Sequence, residues 1–344
     1  MATMPESPVF SVVIPTRNGE RYLRQTISSV LKQTYPHFHL FILESGSTDR
    51  TLDIAHKFQQ QDARIQVVTS DEVLDIQDNW ARILALQLGE YLTILGHDDV
   101  LYPHFLETIA GLIAAEPQAT LYHAHFHILD ANGAISRPCK PIPYRQKADE
   151  FLSQVHASQQ NVSATGYVLR AADYKRLGGF TMLPRLLFAD FLFWYRVTAL
   201  GYKVCSPVGA SGFRIHPAST SQSTQLLDAY DAAVAYYRAL GKTDFFNDAA
   251  HRQGTLAYLS AYFLNRHRSA LLDLLASPAA DRLQNYREIR QTLLRQASED
   301  RLIRVTSPSL TWLAYLARLP WGALRRRLAA GITRTIDIRR KMTG

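Results

Sequence analysis

VFSVVIPTRNGERYLRQTISSVLKQTYPHFHLFILESGSTDR, residues 9–50, is the stretch on which the fold turns. Val9 to Pro15 is a short, nearly continuous apolar and β-branched run, the pattern of a strand buried on both faces, and belongs at the centre of a sheet. Thr16-Arg17-Asn18-Gly19 is turn chemistry. From Glu20 the apolar residues Leu23, Ile27, Val30 and Leu31 recur at helical spacing. His39 to Leu43 reads as a second strand closing on the polar loop Glu44 to Asp49. Strand, helix and strand in this order form a parallel βαβ unit.

The alternation continues outward. A helix through Leu52, Ala55 and Phe58 leads to a strand over Ile65 to Thr69. A helix over Asn79 to Leu88 then feeds the strand Tyr91 to Leu95, which ends on Gly96-His97-Asp98-Asp99. Pro103 to Ala115 reads as helix and Thr120 to Leu129 as strand. Arg137 to Gln146, with Pro138, Pro141 and Pro143, reads as a loop over one face. Asn161 to Arg170 is extended, Ala171 to Leu177 helical, and Gly178-Gly179-Phe180 a tight stop. Phe188 to Leu200 returns to helix, and Tyr202 to Cys205 and Gly212 to Ile215 read as two short strands. Beyond about Ser221 the pattern is helical, as in Tyr230 to Leu240 and Leu283 to Leu294. The division expected is an α/β body over residues 1–224 and a helical region over 225–344. Open sheets of this kind bind ligands at the C-terminal ends of their strands, where the polar loops gather.

The 344 residues are 47% hydrophobic and 20% charged, which excludes wholesale disorder. The formal net charge of +8 is unevenly placed: Leu302 to Gly344 holds nine basic residues and one acidic, leaving residues 1–301 neutral. A neutral body argues against a nucleic-acid partner and for local attachment at the C-terminal end. Leu310 to Leu324 mixes Trp312, Tyr315 and Trp321 with aliphatic residues before Arg325-Arg326-Arg327. That composition suits either a helix lying on an anionic membrane or a core helix with solvated arginines. Cys139 and Cys205 are the two cysteines and sit in no zinc or disulfide pattern. No secretory signal or spanning helix is expected, so the cytosol is the expected compartment.

Asp98 and Asp99 follow an apolar strand directly. Adjacent carboxylates there repel unless a cation sits beside them, and oxygen ligands of this type suit Mg²⁺ or Mn²⁺ completed by phosphate oxygens. An Asp-Asp turn capping the next helix is the alternative. His123, His125 and His127 alternate along one strand and so share a face; a polar wall of an acceptor cleft is expected there in preference to a metal site.

SVVIPTRNGERYLRQTISSVLKQTYPHFHLFILESGSTDRT resembles the nucleotide-binding start of the family 2 glycosyltransferases. NWARILALQLGEYLTILGHDDVLYPHFLE is similar to that family's Gly-Glu-Tyr strand and acidic metal motif. LGGFTMLPRLLFADFLFWYRVTALGYKV resembles its catalytic-carboxylate region, and FRIHPASTSQST its loop over the donor phosphates. The four blocks occur in family order over about residues 9–224.

The resemblance implies a GT-A fold, a Rossmann-like mixed sheet flanked by helices and followed by a helical C-terminal region. It implies an inverting transfer from a nucleotide-sugar to a glycan or lipid-linked acceptor, and, if the tail lies on a membrane, the expected place is that membrane's cytoplasmic face. By the same resemblance Pro15, Thr16 and Asn18 lie near the nucleotide, Glu20 holds its base or ribose, and Glu44 takes the first acidic position after the second strand. Ser45 stands where the family often has a uracil-reading Asp. Asp98 and Asp99 are the metal motif, with Asp99 the expected direct ligand of Mn²⁺ or Mg²⁺. Asp190 aligns with the catalytic base, its alternative being a helix N-cap. Arg214 is expected on the leaving diphosphate, and His216 either contacts metal or phosphate or is solvated. Ser45, His97 and Ala189 at family acidic positions motivate a second reading, a catalytically silent nucleotide-sugar-binding protein.

Overall fold

The computed structural model describes residues 8–217, 219, 224–276 and, within 286–295, residues 286, 288–289, 291–293 and 295. The basic tail over 302–344 and residues Thr220, Ser221 and Ser223 of the FRIHPASTSQST stretch lie outside them. Two compact units divide at Ser223/Thr224.

The first unit is built on one mixed sheet. β1 (Phe10–Thr16), β2 (Phe38–Glu44), β3 (Ile65–Val68) and β4 (Tyr91–Ile94) are parallel in the spatial order β3-β2-β1-β4. Every residue of β1 is buried, as its unbroken apolar run requires. Next in the chain come β5 (Val100–Leu101), β6 (Leu121–Leu129), β7 (Ile135–Pro138), β8 (Arg145–Gln146), β9 (Val168–Arg170) and β10 (Lys203–Arg214). The sheet continues from β4 through antiparallel β9 to β6, then to β10 parallel to β6, and ends on β5; β7 pairs with β6 and β8 with β10.

Helices cover the sheet because their apolar stripes need it. α1 (Leu23–Leu31) and α4 (Phe105–Ala115) seat Leu23, Ile27, Val30, Phe105 and Ile109 against Val12, Ile14, Leu40 and Ile42. α2 is Thr51–Gln59, α3 Ile76–Ala81, α5 Ala148–His156, α6 Ala171–Arg176 and α7 Ala189–Thr198. The second unit contains α8 (Leu226–Leu240) and α9 (Ala249–Ala276), with Tyr230 meeting Phe263 edge-on at 5.6 Å. Among the described residues no helix is long and apolar enough to cross a membrane.

Four local readings change. The helix expected over Asn79 to Leu88 is α3 followed by a 3₁₀ turn, Arg82–Ala85. Asp75 caps α3 by accepting from Asp78 N–H at 2.8 Å, and Arg82 donates to the carbonyls of Glu44, Val68 and Thr69. The two strands expected over 202–215 are one strand, β10, with register shifts between Ser206 and Ser211. Pro207 has no ladder donor, and a Cβ on Gly209 would lie 2.8 Å from the His127 ring, so the irregularity takes up both. Of the stretch 161–170 only Val168–Arg170 is strand. The loop expected over 137–146 opens in β7 and closes in β8.

Trp194 on α7 is fully buried, stacks on Tyr167 at 4.7 Å and donates from Nε1 to the Ser163 carbonyl at 3.1 Å. Trp194→Ala is expected to cost about 3–5 kcal/mol. Urea unfolding checks it, and a loss below about 1 kcal/mol contradicts this packing.

Candidate active site

The parallel register sets the C-terminal ends of three strands side by side. Thr16 pairs with Glu44, Val13 pairs with Ile94, and Leu95 N–H donates to the Val13 carbonyl. The loops leaving these strands border a crevice of about 700 Å³.

Its first wall is the β1–α1 turn. Asn18 sits in the left-handed region at φ 50, which Asn tolerates better than most residues. Its N–H donates to Ser47 Oγ and its Oδ1 accepts from Thr48 N–H, each at 2.9 Å. Gly19 N–H donates to Thr51 Oγ1 at 2.7 Å, and Arg50 N–H to Glu20 Oε2 at 3.0 Å. Buried Glu44 accepts from Ser47 N–H at 2.6 Å. Pro15, Thr16 and Asn18 line the crevice, whereas Glu20 and Glu44 lie outside its lining, Glu20 tying the two loops together and Glu44 closing its own. The Thr16 hydroxyl is buried and has no partner among the described residues.

The second wall carries the acidic motif, with the two aspartates in opposite environments. Asp98 lines the crevice, and its Oδ2 lies 2.8 Å from His216 Nε2. Asp99 is only 2% exposed and is engaged at both oxygens. Oδ1 accepts from Arg214 N–H at 2.7 Å and Oδ2 from Thr165 Oγ1 at 2.5 Å. Burial, then the neighbouring Asp98 charge, push the Asp99 carboxyl well above the usual range. A Cβ on Gly96 would fall within 2.9 Å of oxygens of both aspartates, so the turn needs glycine. The expectation that Asp99 meets the metal is thus corrected: Asp98 and His216 face the crevice, and Asp99 holds the turn from behind.

Arg214 is corrected as well. It is 1% exposed, donates from Nε to the Asp98 carbonyl at 2.6 Å and from Nη2 to Gln25 Oε1 at 2.8 Å, and covers the Tyr22 ring at 4.6 Å. Its guanidinium is absent from the crevice lining. His123 is fully buried and stacked on Tyr167 at 3.9 Å, and burial drives its pKa well below the ordinary value. His125 Nε2 accepts from Ile142 N–H at 3.1 Å, and His127 Nδ1 lies 3.1 Å from the Tyr102 hydroxyl. These three histidines belong to internal packing and not to the crevice wall. Among the described residues no group of three His, Cys, Asp or Glu is arranged to hold a metal.

Asp190 stands in the first turn of α7, whose N-cap is Phe188, so the N-cap reading of Asp190 does not hold. Arg185, Leu186 and Phe188 immediately before it all have left-handed φ, at 57, 54 and 63°. Asp190 accepts from Phe191 N–H at 3.0 Å, while burial pushes its carboxyl up to about 7. It lies outside the lining of the 700 Å³ crevice, five residues after Arg185, which is part of that lining.

A sequence profile described as Glycosyl transferase family 2 matches residues 11–163. Residues 11–163 are a glycosyl transferase family 2 domain. The glycosyltransferase is 22% identical over 234 residues to an uncharacterized glycosyltransferase of Haemophilus influenzae, covering 63% of this chain and 69% of that one. It is 35% identical over 118 residues to a PGL/p-HBAD biosynthesis glycosyltransferase of Mycobacterium tuberculosis, covering 34% of this chain and 46% of that one. In fold it resembles S. aureus TarS in complex with UDP-GlcNAc, with TM-score 0.56 and 19% identity over 79% of this chain and 77% of that one. It also resembles a mannosyltransferase of Pyrobaculum calidifontis in complex with GDP-Man and Mn²⁺, with TM-score 0.55 and 14% identity over 94% of this chain and 88% of that one.

Two supports of the glycosyltransferase site were missed in the sequence. Thr165 lies in a stretch read only as extended, and nothing there marks its contact with Asp99. Thr26 donates to the carbonyls of His97 at 2.7 Å and Asp99 at 2.9 Å. Its signal was available, as a polar residue inside the helical stripe Leu23, Ile27, Val30.

The Asp190 carboxyl titrates at about 7 when folded, against an ordinary 3.8. Between those values the folded chain keeps a proton that the unfolded chain has released, so stability is lost as pH rises. Asp190→Asn lacks this dependence. Relative to it, the wild-type Tm should fall between pH ~4 and ~7 and then run parallel. A Tm difference independent of pH across that window rejects the raised pKa.

Proposed function

We propose that the chain transfers a sugar from a nucleotide-sugar, with inversion, to a glycan or lipid-linked acceptor. The observation that carries this reading is the Asp98–His216 pair, set at the β4 end of a crevice whose other wall is the β1–α1 turn. Pro15, Thr16 and Asn18 would border the nucleotide, and the unpartnered Thr16 hydroxyl offers a donor or acceptor to it. Nucleotide-sugar complexes of the two proteins of similar fold, TarS and the Pyrobaculum mannosyltransferase, support the donor class.

A carboxylate and an imidazole 2.8 Å apart fit a divalent cation completed by phosphate oxygens and water. Mn²⁺ or Mg²⁺ held by Asp98 and His216 would neutralise charge on the departing diphosphate. Asp99 would keep Asp98 in place, and Arg214 would do so through the Asp98 carbonyl.

Asp190 is the general base of this proposal. Its carboxylate takes the proton of the acceptor hydroxyl as that oxygen bonds to the anomeric carbon, on the face opposite the departing nucleoside diphosphate. A carboxyl near 7 accepts a proton more readily than an ordinary one and is still substantially ionised at neutral pH. The basic segment 302–344 would hold the enzyme on an anionic membrane beside a lipid-linked acceptor.

Asp190→Asn should lower transfer or donor hydrolysis by about 10²–10⁴-fold while donor binding persists. Wild-type activity should rise with pH through about 7 and then level. Assays with a panel of nucleotide-sugars decide the matter: retained activity in the variant removes Asp190 from the chemistry, and donor binding without wild-type turnover leaves a silent nucleotide-sugar-binding protein.

Asp98→Asn and His216→Ala should each weaken Mn²⁺-dependent binding of UDP or GDP by about tenfold or more. Calorimetry with and without Mn²⁺ measures this. Equal affinities in the presence and absence of metal sink the assignment.

A further inference from the structure

Burial of Arg214 leaves the crevice without the cation expected on the diphosphate. Its guanidinium is engaged by the Asp98 carbonyl, Gln25 and the Tyr22 ring. The arginines that do line the crevice are Arg17, Arg21 and Arg185. Arg21 rests over Tyr22 at 5.0 Å. Arg185 is exposed, and its guanidinium has no hydrogen bond or ion pair among the described residues. The two carboxylates in the lining do not compete for it, since Asp75 caps α3 and Asp98 bonds His216.

The backbone sets Arg185 apart from Arg17. At φ 57° it occupies a region that side-chain-bearing residues rarely adopt, and Leu186 and Phe188 share it. Such a run persists only where the surroundings fix it. Here Leu186 N–H donates to the Leu183 carbonyl at 2.9 Å and Leu187 N–H to the Pro184 carbonyl at 3.2 Å. Gln77 of α3 donates to the Met182 carbonyl at 3.3 Å, and Leu183 is buried. The strained segment therefore turns Arg185 to the crevice and then enters α7, where Asp190 stands one residue inside the helix.

We propose that Arg185 is a phosphate-binding residue that grips the diphosphate of the donor, so that one held segment presents both this grip and Asp190. The inference rests on the nucleotide-sugar reading above. A planar guanidinium offers paired donors to phosphate oxygens and keeps its charge at any working pH. With Asp98 and His216 as the metal-side contact, the diphosphate would be held at two points of one crevice.

The test compares wild-type protein with Arg185→Gly, Arg185→Ala and Arg185→Lys by calorimetry, using UDP and GDP with Mn²⁺ and the matching nucleosides, uridine and guanosine. Arg185→Gly and Arg185→Ala should weaken nucleoside diphosphate binding by about tenfold or more and leave nucleoside binding unchanged. Arg185→Lys should fall between, because it keeps the charge and loses the fork. Glycine relieves the left-handed backbone, so Arg185→Gly should also raise the ligand-free Tm. Higher stability with weaker diphosphate binding separates a phosphate contact from a merely structural role. Nucleoside diphosphate affinity within twofold of wild type in the Gly and Ala variants overturns the proposal alone. Failure of the wild type to bind either diphosphate overturns both this proposal and the nucleotide-sugar reading.

Discussion

The buried carboxyl of Asp99 is the fixed point of this site. It sits in the turn after β4 and joins the first N–H beyond Gly212-Phe213 on β10 to the hydroxyl of Thr165, two segments far apart in the chain. A carboxyl withdrawn from water carries a large desolvation cost, which raises its pKa and is offset here by hydrogen bonds to both oxygens. The arrangement costs much to disturb, because loss of either donor leaves a buried acceptor unsatisfied. It sets the direction of Asp98, since a turn pinned at Asp99 and closed by Gly96 leaves its neighbour to face the crevice. It also sets the position of His216, two residues beyond the Arg214 N–H that Asp99 holds.

Arg214 extends the same constraint toward α1. An arginine at 1% exposure is tolerable only if its donors are met, and the Asp98 carbonyl, Gln25 and the face of Tyr22 meet them. Thr26 adds two further bonds from α1 to the same turn. The acidic motif is therefore mounted on β10 from one direction and on α1 from the other. A rigid mounting suits the metal-side role proposed for Asp98.

Much of the fold was legible because it follows from one-dimensional pattern. The unbroken apolar run of β1 requires a central buried strand, and the helical stripe of Leu23, Ile27 and Val30 requires a covering helix. The strand ends that gather at the crevice follow from parallel pairing. What was not legible depends on which of two chemically equal neighbours faces inward. Asp98 and Asp99 are indistinguishable as residue types, and only Thr165 and Arg214 N–H, 66 and 115 residues away, decide between them. Arg214 looked like a ligand-binding cation because charge suggests exposure, and its partners Gln25 and Tyr22 lie in α1 and just before it. The histidines of β6 fail for the same reason: alternation shows that they share a face, but not that Tyr167 and the 137–146 segment cover it.

Asp190 obeys a different logic from Asp99, and the contrast separates support from chemistry. Both carboxyls are raised by desolvation, yet Asp99 takes a side-chain hydroxyl and a distant backbone donor, whereas Asp190 takes only local backbone N–H groups. Asp99, 2% exposed and absent from the crevice lining, is out of reach of a substrate proton. A carboxyl that is desolvated but sparsely bonded, as Asp190 is, has the raised proton affinity that the general-base role proposed for it requires. The left-handed run at 185–188 fits the same division. Backbone strain is poorly explained as support, because a glycine or a relaxed turn would join α6 to α7 with less cost. Its retention directly before Asp190 is explained if the position of that helix end matters more than the ease of forming it.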